Sequence, residues 1–248
     1  MPNAATATSV ADIPVEEPET KQPFIPSPER LARRKLVDRD NMLAVYESKP
    51  LLYKVVKRAA DIVLSGGALV ALVPIFAITA LAIVIEDGRP VIYAAPREGK
   101  DGKPFKMYKF RSMYKDADSK LQELLEQNEQ TGPAFKIKDD PRITKVGRFI
   151  RKASIDELPQ LLNILKGEMS IVGPRAIQRT QEFTPYEAQR LVVQPGLTCY
   201  WQIMGRANID WDDWVELDLD YIQDMSVATD ASIIVRTFGA VFDAEGAH

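Results

Sequence analysis

The 248-residue chain is 46% hydrophobic and 27% charged, with a formal net charge of −3, which is enough apolar material for a packed core and excludes a chain disordered throughout. Its single cysteine, Cys199, excludes an internal disulfide and fits a cytoplasmic domain, and its single histidine is the last residue, His248; the Ser-His-Asp and zinc-hydrolase classes are thereby excluded, and any site chemistry falls to Asp, Glu, Lys, Arg, Ser or Tyr. Residues 97–115 carry seven Lys or Arg and two acids, whereas residues 210–224 carry seven acids and no base, so an anionic ligand belongs with the middle of the chain and a nucleic-acid partner is not expected.

Residues 1–47 hold six of the seventeen prolines and few large apolar side chains, so they bury too little to offset the entropy of ordering and read as a disordered arm. Within the arm, residues 29–46 are predicted to form a charged helix opened by Ser27-Pro28 and lying near a membrane surface. Residues 62–85 then run for 24 positions without a charge. At about 1.5 Å per residue this could cross a bilayer core about 30 Å thick. The stretch comes too late in the chain for a cleavable signal peptide. Lys49, Lys54, Lys57 and Arg58 would hold its N-terminal flank inside, while Glu86 and Asp87 do not resist export, so a straight span would put the rest of the chain outside the cell. Pro74 offers a second geometry. It removes one backbone hydrogen bond and clashes with the carbonyl of Val70, so the helix can break there.

Residues 90–113 alternate β-prone side chains around Lys100-Asp101-Gly102-Lys103 and are predicted to form a short hairpin. Lys109 and Arg111, two apart, would share one face of it; the ordinary reading of such lysines is protection of a sheet edge. Residues 116–130 read as a polar surface helix with Leu121, Leu124 and Leu125 on one side, and residues 131–138 as a loop or short strand.

The stretch that organises the chain is residues 145–175, KVGRFIRKASIDELPQLLNILKGEMSIVGPR. Ser154 with Glu157 reads as a capping box, and Leu158, Leu161, Leu162 and Leu165 follow at helical spacing. Pro159 is tolerated only in the first turn, which favours Asp156 over Ser154 as the cap. Lys145, Arg148, Arg151 and Lys152 precede the acidic pair, and Arg175 follows a Gly173-Pro174 turn; these cations are expected to depress both carboxyl pKa values and keep the groups ionised. Two readings stand here. Acids in a first helical turn are ordinary stabilising residues, but a carboxylate held ionised beside an anion site is also equipped to attack phosphorus or to hold Mg²⁺.

Thr184 is predicted to cap an amphipathic helix over residues 184–193, and Pro195-Gly196 reads as a type II turn. Trp201, Trp211 and Trp214 suit either a core or a headgroup boundary. Residues 211–225 have helical spacing with an acidic face expected to be solvated, and an apolar segment spans residues 233–238.

Residues 139–175 (DDPRITKVGRFIRKASIDELPQLLNILKGEMSIVGPR), with MYKFRSM at 107–113 before them and QPGLTCYWQIMGR at 194–206 after them, resemble the bacterial sugar transferase family, the monotopic phosphoglycosyl transferases that start glycan assembly on a polyprenyl phosphate. The likeness covers residues 53–237 in the family's motif order. It implies an α+β, mainly α fold: a re-entrant membrane hairpin broken at Pro74 over residues 48–88, and a small cytoplasmic catalytic domain over residues 89–240 with a short β-hairpin and interfacial amphipathic helices. Residues 241–248 would be a tail. The location implied is the cytoplasmic face of the bacterial inner membrane.

The reaction implied is transfer of a hexose 1-phosphate from a UDP-sugar, with UDP-glucose or UDP-galactose favoured by analogy with exopolysaccharide-initiating members, to undecaprenyl phosphate, releasing UMP. By motif, Asp156 is the nucleophile that becomes a phosphosugar intermediate, Glu157 orients Mg²⁺ at the diphosphate, and Asp156 shares that metal. The likeness marks Lys109, Arg151, Arg175 and Arg97 as phosphate contacts, with Arg111 beside them and Asp218 and Asp230 as further candidates. The lipid bilayer is an implied partner, and a homodimer is left open. The chain departs from the family pattern at Val73, Ala95 and Ala176, where Ser, Gln and Pro are usual. A membrane-tethered scaffold that has lost activity is the alternative reading, and a single-span receptor with an external domain is a second.

Overall fold

The computed structural model describes residues 38–117, 119–120, 140–178, 183–204 and 209–242. The predicted arm up to residue 37, most of the helix expected at 116–130, the loop at 131–138 and the tail from 243 lie outside the described residues.

The chain enters through a short helix, α1 (Met42–Glu47), whose first turn is capped by the Asn41 side chain accepting from Ala44 N. Residues 38–47 were expected to belong to a loose arm. Instead Met42 is completely buried, and Arg39 pairs with Glu216 and Asp220. A ten-residue piece of the presumed arm is therefore pinned to the acidic helix near the far end of the chain.

The long apolar stretch forms two helices, α2 (Leu51–Ala71) and α3 (Val73–Asp87). They meet at Leu72, whose φ/ψ of −92°/4° is not helical, and the axes bend by 61°. Pro74 lies in the first turn of α3, where its missing N–H has no partner to lose, so the break falls where the ring is tolerated. No single helix among the described residues is long and apolar enough to cross a membrane; the bent pair passes that test only jointly. One face of the pair is bare and greasy, with Val63 70%, Val70 77%, Ile78 69% and Ile85 76% exposed. The other face is fastened to the body by polar groups. Asp61 accepts from Ser170 Oγ and Ile171 N, Arg58 donates to the carbonyls of Ile164 and Leu165, and Lys57 pairs with Asp230 at 3.0 Å.

The expected hairpin is present. Strands β1 (Ile92–Glu98) and β2 (Pro104–Phe110) are antiparallel with Tyr93 opposite Lys109 and Arg97 opposite Phe105. The turn between them places Asp101 and Gly102 at positive φ. Helices α4 (Lys145–Lys152) and α5 (Gln160–Lys166) follow, then β3 (Ser170–Val172) and β4 (Ile177–Gln178), the latter adding to the free edge of β1. Thr184 caps α6 (Pro185–Ala188) as predicted and closes a capping box with Glu187, but the helix expected to reach residue 193 is α-helical only to Ala188 and continues as a 3₁₀ turn over Gln189–Val192. Strand β5 (Gly196–Thr198) pairs in parallel with β3. Pro195-Gly196 does not make the predicted type II turn, because Gly196 has no positive φ. Its missing side chain serves a close approach instead: a Cβ there would lie 2.1 Å from the backbone N of Gly173.

Helices α7 (Tyr200–Met204), α8 (Trp211–Asp224) and α9 (Val227–Phe242) complete the body. Leu219, Tyr221 and Ile222 of α8 pack with Met42, Val172 and Ile233 in the largest core cluster. Trp201 stacks on Trp214 at 4.5 Å and Trp211 meets Trp214 edge-on, so the tryptophans form a core cluster. The acidic face of α8 is not the solvated surface that was expected. Asp218 and Asp220 are buried and paired with Arg190 and Arg39.

Candidate active site

The chain between α4 and α5 carries the acidic pair. Ser154 has a left-handed φ of 54° and makes no capping hydrogen bond, and residues 155–157 form one tight turn. Helix α5 begins only at Gln160, with Pro159 as the flanking residue. Neither the capping box nor the Asp156 cap therefore forms. The reason is long-range: Glu157 Oε1 accepts from Lys109 Nζ at 2.9 Å and from Arg175 at 3.0 Å, and two charge-assisted bonds outcompete one backbone N–H.

Several elements hold that arrangement. Thr144 caps α4 by accepting from Gly147 N, and Glu86, at the end of α3, accepts from the N–H groups of Lys145 and Val146. The buried Asn163 of α5 bonds both Tyr108 N and Lys106 O of β2, which fixes the height of Lys109 against Glu157. Arg175 follows the Gly173-Gly196 contact, where Arg175 itself bridges to Gly196, and its guanidinium lies over the ring of Trp201 at 5.2 Å.

The two carboxylates are not electrostatically equivalent. Lys109 and Arg175 outweigh the burial of Glu157 and hold its carboxyl well below the usual range. Asp156, only 7% exposed, is pushed the other way: burial raises its pKa, aided by the charge of Glu157, while Lys109, Arg151 and Arg175 oppose the shift. The expectation that the cations depress both groups is thus corrected for Asp156, because desolvation wins where no cation makes a direct bond. The result is a more basic carboxylate beside a firmly charged one.

Arg97 joins the group from β1. Burial and the neighbouring Arg175 lower its pKa to about 10, and its Nε is buried without a partner. A cleft of about 30 Å³ lies between Arg97, Lys109, Glu157, Gln160 and Arg175. Three cations face one carboxylate there, so the cleft has positive charge to spare and suits an anion. Arg151 stands in the last turn of α4, near enough to Asp156 to oppose its shift.

Other predicted residues lie elsewhere. Arg111 has passed the end of β2; it pairs with Asp87 and donates to the carbonyls of Asp87 and Gly88. Asp230 accepts from Lys57, Tyr53 and Tyr221, so its contacts fasten α2 and α8 to α9. Asp218 reaches the site through Arg190, which donates to both the Asp218 carboxylate and the backbone oxygen of Arg175. Pro74 marks the helix break. Sequence reasoning missed Arg190, Gln160 and Asn163; the one available signal was a base and two amides at otherwise apolar helical positions.

Among the described residues no group of three or more Asp, Glu, His or Cys stands together. Asp156 and Glu157 nonetheless fit Mg²⁺ as a pair, since that ion keeps several waters and is commonly held by one or two carboxylates plus substrate phosphates. Oε1 of Glu157 is engaged by two cations, which leaves Oε2 and the Asp156 carboxylate as the oxygens such an ion would use.

The family model described as bacterial sugar transferase matches residues 52–244. The chain belongs to the bacterial sugar transferase family. Among relatives in that family, the galactosyl transferase CpsE of Streptococcus agalactiae is 44% identical over 198 residues, 78% of this chain and 43% of that protein. The undecaprenyl-phosphate galactose phosphotransferase of Salmonella typhimurium is 42% identical over 77% of this chain and 41% of its own length. The exopolysaccharide production protein ExoY of Sinorhizobium fredii is 40% identical over 77% of this chain and 88% of its own. The sugar transferase chain described here thus spans less than half of the first two relatives and nearly all of ExoY.

Proposed function

We propose that the protein transfers a hexose 1-phosphate from a UDP-sugar to undecaprenyl phosphate, with UDP-galactose or UDP-glucose as donor, and that Asp156 is the nucleophile. The observation that carries this reading is the division of labour in the acidic pair: Glu157 is neutralised by Lys109 and Arg175, while the adjacent buried Asp156 has the raised basicity a nucleophile needs. Relatives named as undecaprenyl-phosphate galactose and glucose phosphotransferases support the substrate class.

In the first half-reaction an Asp156 oxygen forms a bond to the sugar-linked phosphorus, the bond from that phosphorus to the bridging oxygen breaks, and UMP leaves with the electron pair. In the second, a phosphate oxygen of the lipid attacks the same phosphorus, the bond to Asp156 breaks, and the carboxylate is regenerated. Lys109, Arg175 and Arg97 bind and orient the phosphoryl oxygens, and the arginines can do so with two bonds each. Arg151 sets the charge around Asp156. Mg²⁺, held by Asp156, Glu157 and the diphosphate, would supply neutralisation of the departing phosphate.

The bent α2–α3 pair, with its bare apolar face, is proposed to dip into the cytoplasmic leaflet and return, which keeps the acidic pair at headgroup height. Release of UMP from UDP-glucose or UDP-galactose, dependent on Mg²⁺ and undecaprenyl phosphate, tests the reading with purified protein. No release from any UDP-sugar would favour the scaffold reading.

A further inference from the structure

Beside the cationic cleft, and sharing Glu157 with it, runs a second and much larger hollow. It has a volume of about 880 Å³, and its walls come from α2 (Ala68, Leu72), α5 (Leu161) and α9 (Ile234, Phe238). These are apolar side chains. Thr198, Gln202 and Thr237 add a few polar groups to this mainly apolar lining, and Glu157 borders the hollow together with Ser154 and Lys152. The hollow thus joins a mainly apolar wall to the reactive pair, the combination an amphiphile requires.

Resting on the function proposed above, we infer that this groove holds the polyprenyl tail of the acceptor, which would then be threaded through the protein instead of lying free in the bilayer. Charge complementarity fixes the orientation. The phosphate end belongs at Lys152 and the Glu157 end, where the one carboxylate is already masked by Lys109 and Arg175; the hydrocarbon belongs between α2 and α9. A mainly apolar wall of this kind offers dispersion contacts along a hydrocarbon chain and few partners for a polar one.

The volume sets a length. A hollow of about 880 Å³ has room for a run of several isoprene units. Carbons beyond that would emerge next to the bare face of α2 and α3, where Val70 and Ile78 already point outward. The inference therefore limits how much of the lipid the protein reads: the units nearest the phosphate matter, and the remainder is solvated by the bilayer.

The test uses the full chain in vesicles and polyprenyl phosphates of two to eleven isoprene units. The acceptor KM, as mole fraction of lipid, should fall about tenfold as the first several units are added and then level off. Ala68→Phe and Ile234→Trp, which fill the trough from opposite walls, should raise the KM for the long acceptor about fivefold or more. Both should leave UMP release in the absence of acceptor at its wild-type rate, which shows that the fold and the donor half-reaction survive.

A polyprenyl phosphate with a photoreactive tail gives a readout that needs no turnover. Labelling at Ala68, Leu161 or Ile234 supports the groove. Labelling confined to Val63, Val70 and Ile78 on the bare face, labelling of the groove by a photoreactive phospholipid but not by the polyprenyl phosphate, or a KM indifferent to chain length would overturn it. If acceptor-free UMP release is absent in the wild type but the tail still labels the groove, the donor chemistry proposed above fails and the lipid site stands.

Discussion

Replacing Lys109 by Met probes the unequal pair directly. Lys109 Nζ lies 2.9 Å from Glu157 Oε1, with side-chain exposures of 21% and 16%. At that separation and an effective dielectric near 20, the gross attraction is about 6 kcal/mol. Desolvation cancels much of it, and Arg175 remains on the same oxygen. The net loss should therefore fall below the 3–5 kcal/mol typical of a broken buried pair, at about 2 kcal/mol. For a chain of this size that lowers Tm by roughly 4–8 °C.

The effect on turnover should be larger than the effect on stability, because Lys109 is also proposed to bind the phosphoryl oxygens; losing one such donor costs about 10²–10³ in kcat. The pH dependence is the sharpest readout. In the proposed reaction Asp156 works as the anion, so activity should be present above its folded pKa and be lost as pH falls through it. Burial already raises that pKa, and Lys109 is the first of the cations that oppose the rise. Lys109→Met should therefore move the acid limb of acceptor-free UMP release to higher pH. Glu157, whose carboxyl is lowered, contributes stability that is present above its unfolded value near 4.5 and is lost as pH falls; that contribution should shrink in the variant. Wild-type turnover with an unmoved acid limb would refute the reasoning.

Three further outcomes follow from the same geometry. Glu157→Gln should weaken the rate and the Mg²⁺ response together, and a magnesium titration superimposable on the wild type would count against its metal role. Arg190→Ala should cost about 3–5 kcal/mol by stranding the buried Asp218; Arg190→Lys should recover part of the stability but less of the kcat, because the carbonyl of Arg175 loses its donor, and equal recovery of both would reduce Arg190 to a purely structural role. If α2 and α3 return to the cytoplasmic leaflet, tags before residue 38 and after residue 242 should be protected alike in intact cells; a C-terminal tag digested from outside would restore the spanning geometry.

The parts of this fold that were legible in the sequence are those decided by neighbours in the chain. The hairpin turn at Asp101-Gly102, the Thr184 capping box and the kink ahead of Pro74 each depend on residues within a turn or two. The errors share the opposite cause. Glu157 looked like a capping residue because its partners, Lys109 and Arg175, are 48 and 18 residues away. Asp218 and Asp220 looked solvated because the arginines that bury them come from α6's continuation and from ahead of α1. Arg111 looked like a partner of Lys109 because alternation holds only while the strand lasts, and β2 ends at Phe110. Local pattern located the acidic pair; its unequal basicity required the tertiary arrangement.

Mass spectrometry of protein incubated with UDP-glucose or UDP-galactose and Mg²⁺, without lipid acceptor, measures the central event itself. A hexose-phosphate adduct on the peptide containing Asp156, absent from Asp156→Asn and discharged on adding undecaprenyl phosphate, is the expected result. UMP release with no adduct at that residue would contradict the assignment.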